Sequence, residues 1–202
     1  MRRSVLAPRR APAALATVPS YTQRPYVDTY DTIKRMEGLA ASPRGEKSLR
    51  LRMTVEDVIR HVAPKDRLSQ MIAIYDWFMC NWSYVNDPTE VELVKDPERI
   101  LEEITKKGRA LGDCDDAALF MACALRTIGI PTRFARATFT REGAAAVRQG
   151  FRGPDDPHSH VFVIARDQHG RDIVIDPVAD AHTGEMLGRI TEATIGLGNW
   201  SR

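Results

Sequence analysis

GDCDDAALFMACALRTIGIP, residues 112–131, is the stretch on which the fold turns. From Ala117 to Leu125 nearly every side chain is apolar. A helix that is apolar on most sides is buried on most sides, so this segment is a central helix rather than a surface one. Gly112 permits a tight turn and Asp113 is a good N-cap, while Gly129 and Pro131 end the helix. Cys114 therefore sits in the first helical turn. There, unpaired backbone N–H groups and the helix dipole lower a thiol's pKa and offer donors to an oxyanion. Asp113, Asp115 and Asp116 act the other way, since nearby carboxylates raise a thiol's pKa. A reactive Cys114 thus requires an imidazolium beside it. Cys123 lies nine residues on, about half a turn out of phase at 100° per residue, and reads as core.

Five histidines are available. His61 closes a helix, His169 falls in a turn, and His182 lies in a polar loop. His158 and His160 stand at the start of a strand, His160–Arg166, which a turn at residues 167–170 joins to a second strand, Arg171–Asp176. If Arg166 faces Arg171, His160 lies opposite Asp176 or its neighbour, about 5 Å away. An Asp so placed orients a His through one ring nitrogen. Cys114, His160 and Asp176 then form a nucleophilic triad.

Outward from this centre the pattern is helical toward the N-terminus and extended toward the C-terminus. Helices are expected over residues 28–41, 46–62, 66–80 and 97–107, the third built on Leu68, Met71, Ile72, Tyr75, Phe78 and Met79. Cys80, near its end, reads as core filling. Residues 81–87 leave that helix in extended form, 108–112 connect, and 132–139 read as a strand. Residues 140–159 form a long loop of the kind that gates or decorates a site. Helices followed by antiparallel strands make an α+β domain, with N-terminal helices and a buried helix carrying Cys114 packed on an antiparallel sheet. The domain spans residues 28–178, its core 66–178. Residues 1–27 read as a basic Ala/Pro-rich arm, flexible or partner-bound, and 179–202 as a tail wrapping the domain.

The 202 residues carry a net charge of +2, but five arginines and no acid fall within residues 1–24, which leaves the body at −3. Nucleic-acid binding is therefore not expected except through that arm. With 43% hydrophobic and 28% charged residues, the chain is neither collagenous nor wholly disordered. No apolar run reaches the roughly 18 residues of a membrane span. The Ala-rich stretch 11–18 makes a poor secretory signal. Three cysteines are too few for a disulfide framework, so free thiols and a cytoplasmic setting, or a virion if the chain is phage-encoded, are expected.

The stretches 112–135, HSHVFVIA (158–165), DIVIDPV (172–178) and AIYDWFMCNWSYVNDP (73–88) together resemble the transglutaminase-like superfamily, which has a papain-like core. The resemblance implies that Cys114 is the nucleophile, His160 the base and Asp176 its orienting partner. His160-Val161-Phe162 keeps the aromatic character found after the family's His. The family's aromatic oxyanion donor has two candidates here, Trp82 and Tyr84, either of which reads equally as core, and Asp113, Asp116 and His158 are further candidates for the cleft. Size and the run VELVKDPERIL (91–101) resemble small members encoded by tailed bacteriophages. The activity implied is acyl transfer without a cofactor, on a protein or peptide substrate, with hydrolysis of a peptide, isopeptide or amide bond favoured. The alternatives are a virion assembly module working through the arm and tail with little or no catalysis, and a protein cross-linking enzyme. A metal set of Cys114, His158, His160 and Asp176 lacks the usual zinc spacings. Calcium at Asp115 and Asp116 lacks the usual oxygen-ligand loop.

Overall fold

In a computed structural model of the chain, the residues described are 21–25, 29–87, 91–138, 159–178 and 196–197. Four helices precede the central one or frame it: α1 (Thr29–Ala40), α2 (Leu49–Val58), α3 (Arg67–Asn81) and α4 (Pro97–Lys107). Three of the four starts have a local cause. Ser48 accepts from the Leu51 N–H, Asp66 from the Ser69 N–H, and Asp96, followed by Pro97, from the Arg99 N–H. These are N-caps that satisfy orphan donors of a first turn.

The central helix, α5 (Cys114–Thr127), is the hub, and everything from Asp115 to Leu125 is buried. It packs against α1–α4 on one side and the main sheet on the other. Phe120 stacks on Phe78 of α3 with centroids 4.7 Å apart and on Trp77 at 6.1 Å. At its far end Gly129 adopts a left-handed φ of 78°, a conformation that costs glycine little. Arg126, almost buried, ion-pairs with Glu37 (3.1 Å) and Glu46 (3.5 Å). It also bonds Thr132 Oγ1 at 2.8 Å and lies over the Phe134 ring. One guanidinium thus ties α1, the α1–α2 turn and the sheet to the end of α5.

The main sheet is antiparallel, with spatial order β7-β6-β5-β8: β5 (Thr132–Thr138), β6 (Ser159–Arg166), β7 (Asp172–Ile175) and β8 (Gly196–Leu197). Two smaller pairs flank α5. β2 (Trp82–Tyr84) runs parallel to β4 (Ala110–Gly112), with Tyr84 opposite Gly112. β1 (Tyr21–Pro25) runs antiparallel to β3 (Val91–Lys95). Three features depart from the sequence reading. Residues 21–25, at the end of the segment read as an arm, form a strand. β3 and β4 replace what reads as unassigned chain and a connector. Cys80 is exposed, because the buried face of α3 is Met71, Ile74, Tyr75 and Phe78 and two residues past Phe78 the helix has turned about 200°. The same phase leaves Ile72 46% exposed.

Among the described residues no helix is long and apolar enough to cross a membrane. Residues 139–158, which contain most of the long loop expected over 140–159, and 179–195 of the tail lie outside the described residues.

Phe120→Ala removes the ring on which α3 and α5 meet. It is expected to lower unfolding stability by about 3–5 kcal/mol, read as a shifted urea midpoint with unchanged slope.

Candidate active site

Cys114 opens α5, and Asp113 caps it through a 3.3 Å bond from the Asp115 N–H. The cap places the thiol at the face where β6 crosses the helix start. The backbone N–H of Val161, the residue after His160, donates toward the Cys114 sulfur. His160 and Asp176 are both fully buried. His160 Nε2 meets Asp176 Oδ2. Asp176 is itself held, its Oδ1 accepting from the Val178 N–H at 2.9 Å while its carbonyl faces the Tyr75 hydroxyl at 3.5 Å. Phe162 stacks near-parallel to the imidazole at 6.1 Å.

The hairpin register differs by one residue from the sequence reading, which paired Arg166 with Arg171. Arg166 faces Asp172 and Val163 faces Ile175. Asp176 therefore sits diagonally to His160, two residues off the directly opposing position. Diagonal neighbours share a face of the sheet and lie within reach of longer side chains. The turn accounts for the difference, because Arg171 belongs to it rather than to the strand. Asp167 closes that turn by accepting from the backbone N–H groups of His169 and Arg171.

Cys114 is half-buried, but its environment is dry and acidic. Burial first, and Asp113 second, push the thiol well above its ordinary pKa, with the Val161 N–H pulling the other way. Burial and the neighbouring carboxylates thus oppose the lowering expected from the helix start.

The aspartates beside it are built into the fold. Asp116, fully buried, accepts from the Lys95 backbone N–H at 2.7 Å and pairs with the Lys95 ammonium at 3.2 Å. That ammonium also donates to the Leu111 carbonyl at 2.5 Å. Gly112 is required by this arrangement: a Cβ there would lie 2.4 Å from Asp116 Oδ2. Asp115 is 1% exposed, and burial together with Asp113 pushes its carboxyl well above the usual range. Glu92 of β3 and Asp87 before it face the same pocket; burial pushes Asp87 up to about 7.

Trp82 is buried and stacks on Phe78 at 5.5 Å. Its indole Nε1 meets no hydrogen-bond partner among the described residues. Tyr84, edge-on to Trp82 at 6.1 Å, is half-buried and lies close enough to feel charge on Cys114. Its hydroxyl donates to Asn86 Oδ1 at 2.9 Å. His158 lies outside the described residues. The structure thus brings Cys114, His160, Asp176, Tyr84, Asp113 and Asp116 to one end of α5. Lys95, Glu92 and Asp87 escape a sequence reading because β3 does, and β3 shows only a short alternation.

The sequence model of the transglutaminase-like superfamily matches residues 54–177. No curated protein matches the chain. Among solved structures, the fold is similar to that of a candidate protease from Parabacteroides distasonis (TM-score 0.49, 14% identity, 71% of this chain against 25% of that one). It is also similar to a candidate cysteine protease from Cytophaga hutchinsonii (0.48, 17%, 90% against 61%) and to Legionella pneumophila LapG (0.48, 16%, 87% against 86%). The chain spans about a quarter of the first of these and under two thirds of the second.

Gly112→Ala forces a methyl group into the Asp116 carboxylate. Overpacking of this kind is expected to cost about 1–3 kcal/mol. Lys95→Met, which strips a fully buried carboxylate of its cation, is expected to cost about 3 kcal/mol or more. Chemical denaturation reads both.

Proposed function

The chain belongs to the transglutaminase-like superfamily, and from that premise we propose that it is a thiol-dependent acyl-transfer enzyme hydrolysing a peptide, isopeptide or other amide bond. The observation that supports this most is the buried His160–Asp176 pair lying one residue from the backbone group that meets the Cys114 sulfur.

In this reading His160 takes the Cys114 proton as the sulfur attacks the amide carbonyl, and the resulting imidazolium is stabilised by Asp176. Asp176 is kept in place by Val178 and so fixes the imidazole ring and its tautomer. The negative oxygen of the tetrahedral adduct is held by N–H groups at the start of α5, with the Tyr84 hydroxyl or the Trp82 indole N–H as further donor. Tyr84 must leave Asn86 to serve, whereas the Trp82 donor is uncommitted but confined by Phe78. His160 then returns the proton to the departing amine, a thioester forms on Cys114, and His160 activates water to release the acid.

Burial and nearby carboxylates disfavour the thiolate, so in this reading proton removal is coupled to attack. That demands a base in contact, which is the role given to His160.

Cys114→Ala is expected to abolish hydrolysis of a peptide library. His160→Ala should slow alkylation of Cys114 by iodoacetamide by about 10-fold or more, with Cys80 and Cys123 resolved by peptide mapping. Asp176→Asn should lower kcat/KM by about 100-fold or more while leaving the fold intact. Full activity in Cys114→Ala would falsify the proposal. Incorporation of an amine in place of water would move it from hydrolysis to cross-linking.

A further inference from the structure

Helix α3 touches both halves of the candidate site. At its start the Arg67 guanidinium donates to the Asp167 carbonyl at 3.3 Å, and the Leu68 N–H donates to the Gln168 side-chain oxygen at 3.3 Å. Both contacts tie the first turn of α3 to the turn between β6 and β7. About two helical turns on, and so on the same side of the helix, the Tyr75 hydroxyl donates to the Asp176 carbonyl at 3.5 Å. α3 therefore runs alongside the hairpin from its turn to the residue that partners His160.

The same helix reaches the nucleophile's side. Three residues after Tyr75, on the buried face they share, Phe78 stacks on Phe120 of α5 with centroids 4.7 Å apart. Trp77 adds a second stack on Phe120 at 6.1 Å. Phe120 belongs to the helix that Cys114 opens. One rigid element thus meets the thiol's helix through apolar rings and Asp176 through a polar tip.

Tyr75 is 9% exposed and lies in the core with Met71, Ile74 and Phe78. Packing fixes a buried tyrosine ring, while its hydroxyl seeks a partner. Here that partner is main chain, so the contact bears on where residue 176 lies. The Asp176 side chain follows its backbone closely. Its Oδ1 accepts from the Val178 N–H at 2.9 Å, its Oδ2 meets His160 Nε2, and Val178 is itself packed in the core. A shift of the main chain at Asp176 therefore moves the carboxylate that aims the imidazole.

We propose that Tyr75 is a positioning residue, setting Asp176 against the nucleophile helix through the body of α3, a role that rests on the acyl-transfer reading because Tyr75 acts only through Asp176 and His160. A hydroxyl contact of 3.5 Å is long for a hydrogen bond, so its loss should barely touch stability. Alignment is more sensitive, since a misplacement of about 1 Å can cost about 100-fold in rate.

The test uses the full chain and follows alkylation of Cys114 by iodoacetamide, with Cys80 and Cys123 separated by peptide mapping. Tyr75→Phe removes only the hydroxyl. It should slow the reaction by about 5-fold, with a urea midpoint close to that of wild type. Asp176→Asn should slow it at least as much. In the double variant the two losses should not multiply, because both act through one carboxylate. Ile74→Val, a neighbouring change in the same packed face, should lower the midpoint and leave the rate alone. On a peptide that the wild type cleaves, Tyr75→Phe should lower kcat by the same factor with KM unchanged. Alkylation of Tyr75→Phe at the wild-type rate overturns the proposal, as does a double variant in which the losses multiply. A rate that Asp176→Asn leaves unchanged overturns the His160–Asp176 reading itself, and the role of Tyr75 with it. The two failures are told apart by which single variant reports them.

Discussion

The seating of Asp116 is the constraint on which the rest of the site depends. One carboxylate, out of contact with water, takes both the backbone N–H and the ammonium of Lys95. This binds β3 to the start of α5 and holds it against β4, whose Gly112 makes room for it. Cys114, two residues earlier on the same turn, inherits its position from this lock. Because α5 is buried along nearly its whole length, it cannot slide or rotate to compensate for a disturbed start. The nucleophile's place is thus set by polar contacts at one end of the helix and by aromatic stacking along its middle.

The far side of the site is organised by different means. His160 is aimed by strand pairing and by the single carboxylate of Asp176, which in turn hangs from the Val178 N–H. Helix and hairpin each carry half of the proposed chemistry on a rigid element. Sites built in this way hold their geometry better than sites built on loops. The Val161 N–H at the Cys114 sulfur is where the two halves touch.

The helix of the opening stretch is legible in the sequence because its apolar run, cap and stop all agree. Cys114, His160 and Asp176 can be grouped from the sequence because a hairpin of ordinary length constrains its own pairing, although the turn around Asp167 shifts the register by one. The features that escape a sequence reading depend on long-range contact. β3 is five residues long with only Val94 buried, so its alternation is faint, and its partner is a strand some 70 residues upstream. Lys95 therefore looks like a surface charge. Cys80 is misplaced by a helix phase drawn from an apolar count that includes Ile72 and omits Ile74. Asp115 and Asp116 read as a polar flank of the thiol, whereas both are interior.

The parallel pairing of β2 with β4 and the sheet position of β6 also set an order of events during synthesis. The helices, β2 and β4 that position Cys114 are all encoded before residue 128. The imidazole follows 46 residues after the thiol and its aspartate 62 residues after. At ribosomal speeds of about 5–20 residues per second, the nascent chain carries its thiol for about 3–12 s before Asp176 is joined. The proposed chemistry needs all three residues, so in that reading it begins only once the last hairpin has closed.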